Sequence, residues 1–515
     1  MKRIVSAFLA LILLFSLAAV SGAEFYDEKD LPSSNRAAID YAAAKEIISG
    51  FPDKDFKPKE TLTRAQAAKM LCVALEGAAK ANTVTQTATD FADVPQTHWA
   101  SGSVAWCAKK SIVAGVGEGK FDPDAKLSAA AFAKMLLVAY GHDPQAEGLV
   151  GAQWLENTQK ALKDSGFDKG VSAIRNQPLK RAEACQLVYN FVRAAEEKEL
   201  EGKGYPLTEF PLTEKQNFRV LGRSIRDDKG LICDYSASGI EFTLDCAGTI
   251  WASVDPTAGS ARFRAYVDGK RGESIMLSKN LPTMPLICDV EPGVHTIRII
   301  RDTQVAKSVV RLTGVTASAK KETIKATEPK KLFIEINGDS ISGGAGLLGG
   351  AGWEGSAYSA GLSYGLQAAD LLNADCTIVS RGGIGFQKKV PSDLIFDYQN
   401  YYRDTKTKYD FSRKPDVFVL ALGTNDKKTE GYYEQYTKFI AQVRDRYAAP
   451  TLKIVIMYNM MTDRHTDTFL KIAEEDPNVW ALKVPMDRNG QSNHPTAEGH
   501  AEYAKLLSEF IKSIL

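Results

Sequence analysis

Four short stretches in the C-terminal part of the chain hold groups suited to acyl transfer: Gly338-Asp339-Ser340, Gly382-Gly383-Ile384-Gly385, Gly423-Thr424-Asn425-Asp426 and Asn493-His494-Pro495. A serine hydroxyl is a weak nucleophile until a neighbouring base takes its proton, and histidine is the side chain whose ordinary pKa suits that task. Ser340 is the candidate nucleophile and His494 the candidate base. The negative charge that develops on a carbonyl oxygen under attack needs donors already in place. The glycine run offers backbone N–H groups with no Cβ in the way, and the Asn425 carboxamide donates in the same manner. A Gly-Asp-Ser triplet alone carries little weight. The order of the four stretches, and the elements they end, carry it.

Those elements are strands alternating with helices from Leu332 onward. Apolar runs at 332–336, 376–380, 417–422, 453–458 and 479–484 read as strands, with helices around 358–372 and 432–447 and a final helix after Pro495. Strands apolar on both faces imply a parallel sheet covered on both sides, an α/β/α sandwich over about 330–515. In such sheets chemistry collects beyond the carboxyl ends of the strands. Ser340 follows the first strand directly, the glycine run follows the second with Arg381 between, and Asn425 follows the third. The glycine-rich stretch after Ser340 lacks the Gly-Lys-Ser/Thr of a phosphate-binding loop, which argues against nucleotide binding. Two other histidines compete with His494. His465 sits in a loop after the fourth strand and stays a competitor, whereas His500 reads as a helix-face residue on a helix burying Ala501, Leu506, Phe510 and Ile511. Pro495 is expected in the first turn of that helix.

Upstream the pattern differs. With 515 residues the chain is too long for one core, and 64 Lys plus Arg against 63 Asp plus Glu leave no basic field to gather nucleic acid. Residues 1–23 read as an export signal: Lys2 and Arg3, an apolar stretch from Ile4 to Val20, then Ser21-Gly22-Ala23. The seven cysteines show neither metal spacing nor a disulfide framework and read as structural. Residues 51–71 return as 116–136, with a third, worn copy at 176–188. Each copy sits between helical segments, such as 36–48 and 99–110, and Thr63 and Ser128 stand where helix N-caps belong. The repeats are expected at about 24–85, 86–145 and 146–200. From 205 to 320 helical periodicity gives way to alternation punctuated by Asp268-Gly269 and Pro292-Gly293, a β-sandwich pattern, jelly-roll-like in outline. Trp251 and Tyr266 are its aromatics, expected in the core rather than as sugar platforms. The Lys-rich stretch 316–331 reads as a connector.

The repeats, with His98-Trp99-Ala100 and the words LTRAQ, LSAAA and LKRAE, resemble S-layer homology repeats. The resemblance implies an array attached to the cell surface through an anionic cell-wall polymer, with Arg64 and Arg181 as its contacts. In the second repeat Ala130 is read as holding the Arg position.

The four C-terminal stretches together resemble the SGNH (GDSL-type) hydrolases. A β-sandwich followed by GDSI, GGIGF and GTND is more narrowly similar to the family 2 carbohydrate esterases. That resemblance implies removal of acetyl groups from xylan and related hemicelluloses without metal or cofactor. Ser340 would be the nucleophile, His494 the base, and Ser340 N–H, Gly383 N–H and Asn425 the oxyanion hole. The usual Asp three residues before the His is Gln491 here, which points to a Ser-His dyad with Gln491 as a neutral orienting group and Asp487 as the nearest acidic alternative. Aromatics Trp353, Tyr398, Tyr401 and Tyr402 suit stacking on sugar rings better than a lipid cleft. Other readings are an esterase for other O-acetyl groups, in cell-wall polymers or lipids, and a non-catalytic wall or glycan-binding protein.

Overall fold

The computed structural model describes residues 27, 32, 35–84, 87–171, 174–255, 260–277, 282–304, 310–348, 357–387 and 409–515. The expected export signal over 1–23 and the aromatics Trp353, Tyr398, Tyr401 and Tyr402 lie outside these residues. No helix among the described residues is long and apolar enough to cross a membrane.

The N-terminal part is helical, and its three repeats close on one another. The leucines that open the repeat words bond in a ring: Leu62 N–H to Leu179 O, Leu179 N–H to Leu127 O and Leu127 N–H to Leu62 O, each at 2.9 Å. All three side chains are buried. A closed ring needs three equivalent segments, so the worn third copy folds as the other two do. From it spring the helices Arg64–Glu76, Ala129–Tyr140 and Arg181–Gly202. Thr63 and Ser128 cap the first two as expected, their hydroxyls accepting the N–H groups of Gln66 and Ala131 at 3.2 Å. The helices preceding them are shorter than their pattern suggests, Arg36–Ala44 and Ser101–Lys109.

The middle part is antiparallel. Its strands are β1 (Leu207–Pro211), β2 (Arg219–Leu221), β3 (Ser224–Arg226), β4 (Leu231–Cys233), β5 (Gly239–Val254), β6 (Ala261–Val267), β7 (Lys270–Leu277), β8 (Thr283–Arg301), β9 (Arg311–Ala319) and β10 (Lys325–Ala326). They pair in the order β3-β4-β9-β5-β8-β6-β7, with β1 on β9 and β2 and β10 on β5. Register shifts interrupt the long β5–β8 pair between Cys246 and Trp251. Such bulges bend a strand and sharpen its twist, which lets one ladder wrap the apolar core formed by Phe242, Leu244, Phe263, Ile297 and Ile299. The expected connector over 316–331 is in part strand. Val315, Ala317 and Ala319 alternate inward on β9, a period of two carried by small residues that hydropathy underweights. Trp251 and Tyr266 are buried, as expected. Trp251 packs against Tyr189 and lies under the Arg193 guanidinium, 3.8 Å from ring centroid, where the helical array docks on the strands. All seven cysteines are free, six of them buried.

The C-terminal part is a five-stranded parallel sheet of β11 (Leu332–Gly338), β12 (Ala374–Ser380), β13 (Val417–Ala421), β14 (Lys453–Tyr458) and β15 (Val479–Lys483), ordered β12-β11-β13-β14-β15. Alternate residues of β13 serve opposite faces. Val417 and Val419 pack with the helices Tyr364–Leu371 and Ala497–Ile514. Phe418 and Leu420 pack with Tyr432–Arg446 and Thr466–Glu475. The final helix buries a different stripe from the expected one: His500, Tyr503, Ala504, Leu507 and Ile511, with Ala501 exposed and Leu506 and Phe510 only half-buried. Pro495 lies outside that helix, because Thr496 is its N-cap and accepts the Gly499 N–H at 3.0 Å.

Arginines join the two strand-bearing parts. Arg223, beside β3, and Glu335 on β11 form a fully buried ion pair at 2.6 Å, and Tyr447 Oη donates to the other Glu335 oxygen at 2.6 Å. Arg219 reaches Asp375 at 2.7 Å and Arg298 reaches Asp370 at 2.8 Å.

Candidate active site

The strand order places the reversal of winding between β11 and β13, so the loops leaving these two strands flank the crevice where ligands bind in open α/β sheets. Ser340 leaves β11 and Asn425 leaves β13. Ser340 is 4% exposed, and its Oγ meets His494 Nε2 at 2.9 Å. The final helix and its N-cap deliver the histidine from 154 residues away in the chain.

What orients His494 is backbone. The chain turns tightly over Gly490 to Asn493, with Gly490 N–H on His494 O at 2.9 Å and His494 N–H on Gln491 O at 3.0 Å. Ser492 and Asn493 are both left-handed, φ 54° and 60°, a conformation that costs a non-glycine residue energy. This turn brings the Ser492 and Gln491 carbonyls to the imidazole. With Nε2 on the serine, the remaining ring proton sits on Nδ1 and these carbonyls accept it. Burial lowers the His494 pKa and the two carbonyls oppose that, with burial dominant, so the ring is neutral near pH 7. Gln491 therefore contributes its main-chain oxygen to the histidine.

Asp487 is engaged elsewhere. Its Oδ2 accepts Thr496 N–H and Oγ1, both at 2.7 Å, and Oδ1 accepts Asn489 N–H at 3.0 Å, so it braces the start of the final helix. Burial alone would raise this carboxyl, but those hydrogen bonds hold it below its ordinary value.

The competing histidines are occupied in the core. His500 is fully buried and accepts the Tyr364 N–H on Nδ1 at 3.1 Å; burial, then the nearby His494, push it down to about 3. His465 stacks on Tyr432 at 3.8 Å and bonds Asp426 O through Nε2 at 3.0 Å, behind the Asn425 turn.

The loop from Arg381 to Gln387 is pinned at several points. Arg381 N–H reaches Gly338 O at 3.3 Å, and the Asp426 carboxylate accepts Phe386 N–H and Gln387 N–H at 3.2 and 2.9 Å. A Cβ on Gly385 would lie 2.4 Å from that carboxylate, so glycine is required there. Gly383 is exposed at φ 75°, and among the described residues no acceptor meets its N–H. Asn425 Nδ2 donates to Asp339 Oδ2 at 3.2 Å and to Ile384 O at 2.9 Å. Asp339 is buried, and burial pushes its carboxyl up to about 7 against its hydrogen bonds. Sequence reasoning left Asp339 and Asp426 without a role although both stand inside the words it singled out. It missed Gln304, whose Oε1 accepts the Gly382 N–H at 2.9 Å, because nothing in its own segment marks it.

Arg64 and Arg181 occupy equivalent places in the helical array. Arg64 donates from Nε to Phe121 O and from Nη2 to Ala114 O, at 2.7 and 2.8 Å. Arg181 donates to Phe56 O and Ser49 O, both at 2.9 Å. Each guanidinium also lies over a phenylalanine, Phe121 for Arg64 and Phe51 for Arg181. Each thus fastens its repeat to the loop of a neighbour, and Arg181 is buried in doing so. In the second repeat this position, the first after the N-cap Ser128, is Ala129 rather than the expected Ala130. Among the described residues no cluster of His, Cys, Asp and Glu is arranged to hold a metal ion.

Comparison with known proteins finds two kinds of region in the chain. An S-layer homology domain model matches residues 24–68 and 90–133, and a carbohydrate esterase 2 N-terminal model matches residues 220–348. The chain carries S-layer homology domains and a carbohydrate esterase 2 N-terminal region. That region takes in β3 to β11 and Ser340. A cell surface protein of Thermoanaerobacter kivui is 28% identical over 234 residues, 44% of this chain and 29% of the relative. The chain thus spans under a third of that relative's length. An acetyl xylan esterase from Butyrivibrio proteoclasticus superposes with a TM-score of 0.52 at 18% identity, covering 60% of this chain and 98% of that one. A family two carbohydrate esterase from Clostridium thermocellum, in complex with cellohexaose, does so with a TM-score of 0.52 at 24% identity, covering 58% and 98%. At these identities the likeness is one of fold. The S-layer homology domains mark the chain for attachment at the cell surface.

Proposed function

We propose that this chain is a cell-surface serine esterase that removes acetyl groups from a polysaccharide such as xylan or another hemicellulose, or from its oligosaccharides. The observation that carries this reading is the 2.9 Å contact between Ser340 Oγ and His494 Nε2 at the switch point of the parallel sheet. The carbohydrate esterase 2 N-terminal region and the likeness in fold to an acetyl xylan esterase and a family two carbohydrate esterase support the substrate class.

His494 Nε2 takes the Ser340 hydroxyl proton as Oγ attacks the acetyl carbonyl carbon. The carbonyl oxygen becomes an oxyanion, which accepts from Ser340 N–H and Gly383 N–H. Asn425 joins them by turning one amide hydrogen away from Asp339 or Ile384 O. The sugar hydroxyl leaves with the proton from His494, and a water activated by the same ring hydrolyses the acetyl-enzyme. The imidazolium that forms is steadied by the Ser492 and Gln491 carbonyl dipoles in place of a carboxylate. In the helical array, Arg64 and Arg181 shape the loops around grooves for an anionic cell-wall polymer.

Ser340→Ala tests the reading. Acetate release from acetylated xylan should fall about 10,000-fold or more while the melting temperature holds. Wild-type acetate release by this variant would sink it, and no release by the wild type from any acetylated glycan would favour a non-catalytic wall protein.

A further inference from the structure

The pinned loop that presents Gly383 has anchors of two origins. Gly338 O and the Asp426 carboxylate belong to the parallel-sheet part, and they hold the loop's two ends. Between them, Ile384 O is held by Asn425 of the same part and the Gly382 N–H from the antiparallel part. Gln304, three residues beyond the end of β8, accepts the Gly382 N–H on Oε1 at 2.9 Å, one peptide before the Gly383 N–H. Gln304 thus brings a side chain from outside the parallel-sheet part onto this loop.

Gln304 does not hang on a free tip. Arg301, fully buried, donates to Thr303 O, Cys233 O and Gln304 O at 3.3, 2.7 and 3.1 Å, so the backbone bearing the glutamine is fixed. Asp302, also fully buried, accepts Gly361 N–H at 2.7 Å and the Ser359 hydroxyl at 3.1 Å. Ser359 N–H in turn reaches Gly344 O at 3.0 Å, in the turn that follows Ser340. The segment 301–304 therefore touches both the loop after Ser340 and the loop of Gly383. Space at the contact is tight, since a Cβ on Gly382 would lie 2.6 Å from Tyr358 Oη and 3.4 Å from Gln304 Oε1.

We infer that Gln304 is a positioning residue for the oxyanion hole: by accepting the Gly382 N–H it sets the tilt of the next peptide and aims the Gly383 N–H at the developing oxyanion. This rests on the esterase reading above and assigns the antiparallel part a share in catalysis besides any part in holding glycan. A hydrogen-bond donor works on an oxyanion only when it is aimed before the charge appears, and a small misplacement is amplified in rate. The ground-state ester makes weaker use of that donor, so the effect belongs to turnover more than to substrate affinity.

The test compares Gln304→Met, which keeps length and loses the acceptor, with Gln304→Glu, which keeps an acceptor oxygen. Full-length protein is assayed on acetylated xylan oligosaccharides, and a small boronic acid serves as a tetrahedral mimic bound through Ser340. Gln304→Met is expected to lower kcat about 10- to 100-fold with KM within about twofold, and to weaken the boronic acid by a similar factor. Gln304→Glu is expected to recover at least tenfold of that kcat loss where the loss is largest, and to keep the wild-type melting temperature. Wild-type kcat and boronic acid affinity in Gln304→Met, alongside an inactive Ser340→Ala, would overturn this inference and leave the esterase reading standing. Equal losses in Met and Glu, with KM and melting temperature changed together, would also overturn it, as a packing role. Activity surviving in Ser340→Ala would overturn the esterase reading itself.

Discussion

The antiparallel part has two neighbours, and it meets them with different electrostatics. Toward the parallel sheet it presents arginines to carboxylates: Arg223 to Glu335, Arg219 to Asp375 and Arg298 to Asp370. Burial alone would raise the Asp375 carboxyl, but Arg219 and Arg413 hold it below its ordinary 3.8. Its stabilisation is therefore complete at neutral pH and lost only as the pH falls through that lowered value. Toward the helical array it offers Trp251 to Tyr189 and Arg193, and Thr249 to Glu196. Burial first, then the Asp289 carboxylate, push Glu196 up to about 7, against Lys45, Thr249 and Arg193. One junction is fastened by ion pairs, and the other sets beside its Lys45–Asp289 pair an acid that resists ionising. The difference separates what must be rigid, the unit holding Ser340 and His494, from what must only stay attached.

The largest effect in breaking this contrast is expected at the permanent charges. Glu335→Ala leaves the Arg223 guanidinium buried without its carboxylate and should cost about 3–5 kcal/mol in denaturant unfolding, with activity falling alongside. Arg223→Met combined with Glu335→Leu should recover much of that stability. Next comes the pH response of activity. In the proposed mechanism His494 works neutral, and its pKa lies below the ordinary 6.5, so kcat/KM should fall about tenfold per pH unit only once the pH drops beneath that lowered value. A plateau ending above 6.5 would contradict the neutral, carbonyl-oriented ring.

Stability should move the other way. Between 4.5 and about 7 the folded chain keeps on Glu196 a proton that the unfolded chain has released, so stability falls as the pH rises through this window. Glu196→Gln should flatten that slope in thermal melts at about pH 5 and about pH 8; an unchanged slope would place its origin in another group. The smallest effect is expected from Arg193→Ala, about 1 kcal/mol from the lost stacking on Trp251, with acetate release unchanged.

Much of this architecture was legible in the residues because it follows from periodicity and punctuation. Apolar runs such as 417–422 and 453–458 mark buried parallel strands, and the words at Ser340, Asn425 and His494 fall at strand or helix ends. The helix stripe was misread because His500 and Ser508 are polar yet buried, while Phe510 stays half-exposed. Gln304 and the Ser492 carbonyl were invisible for a different reason. Each acts through a contact fixed by the tertiary path of the chain, and a main-chain oxygen has no letter in a sequence. Arg64 and Arg181 were visible as charges, but their grip on the neighbouring repeat's carbonyls depends on the three-fold ring of Leu62, Leu127 and Leu179.

The left-handed pair Ser492 and Asn493 has a consequence for how this site can drift over generations. Where a carboxylate orients a catalytic histidine, one missense codon can abolish the orienting group. Here every amino acid at 491 and 492 brings the same oxygen, and what selection must preserve is a torsion angle. Glycine, asparagine or aspartate at 492 and 493 should be near-silent, whereas valine or isoleucine should be purged as severely as a lost catalytic residue. A deep mutational scan of these two positions would show tolerance sorted by the left-handed propensity of the side chain, with charge and polarity almost irrelevant.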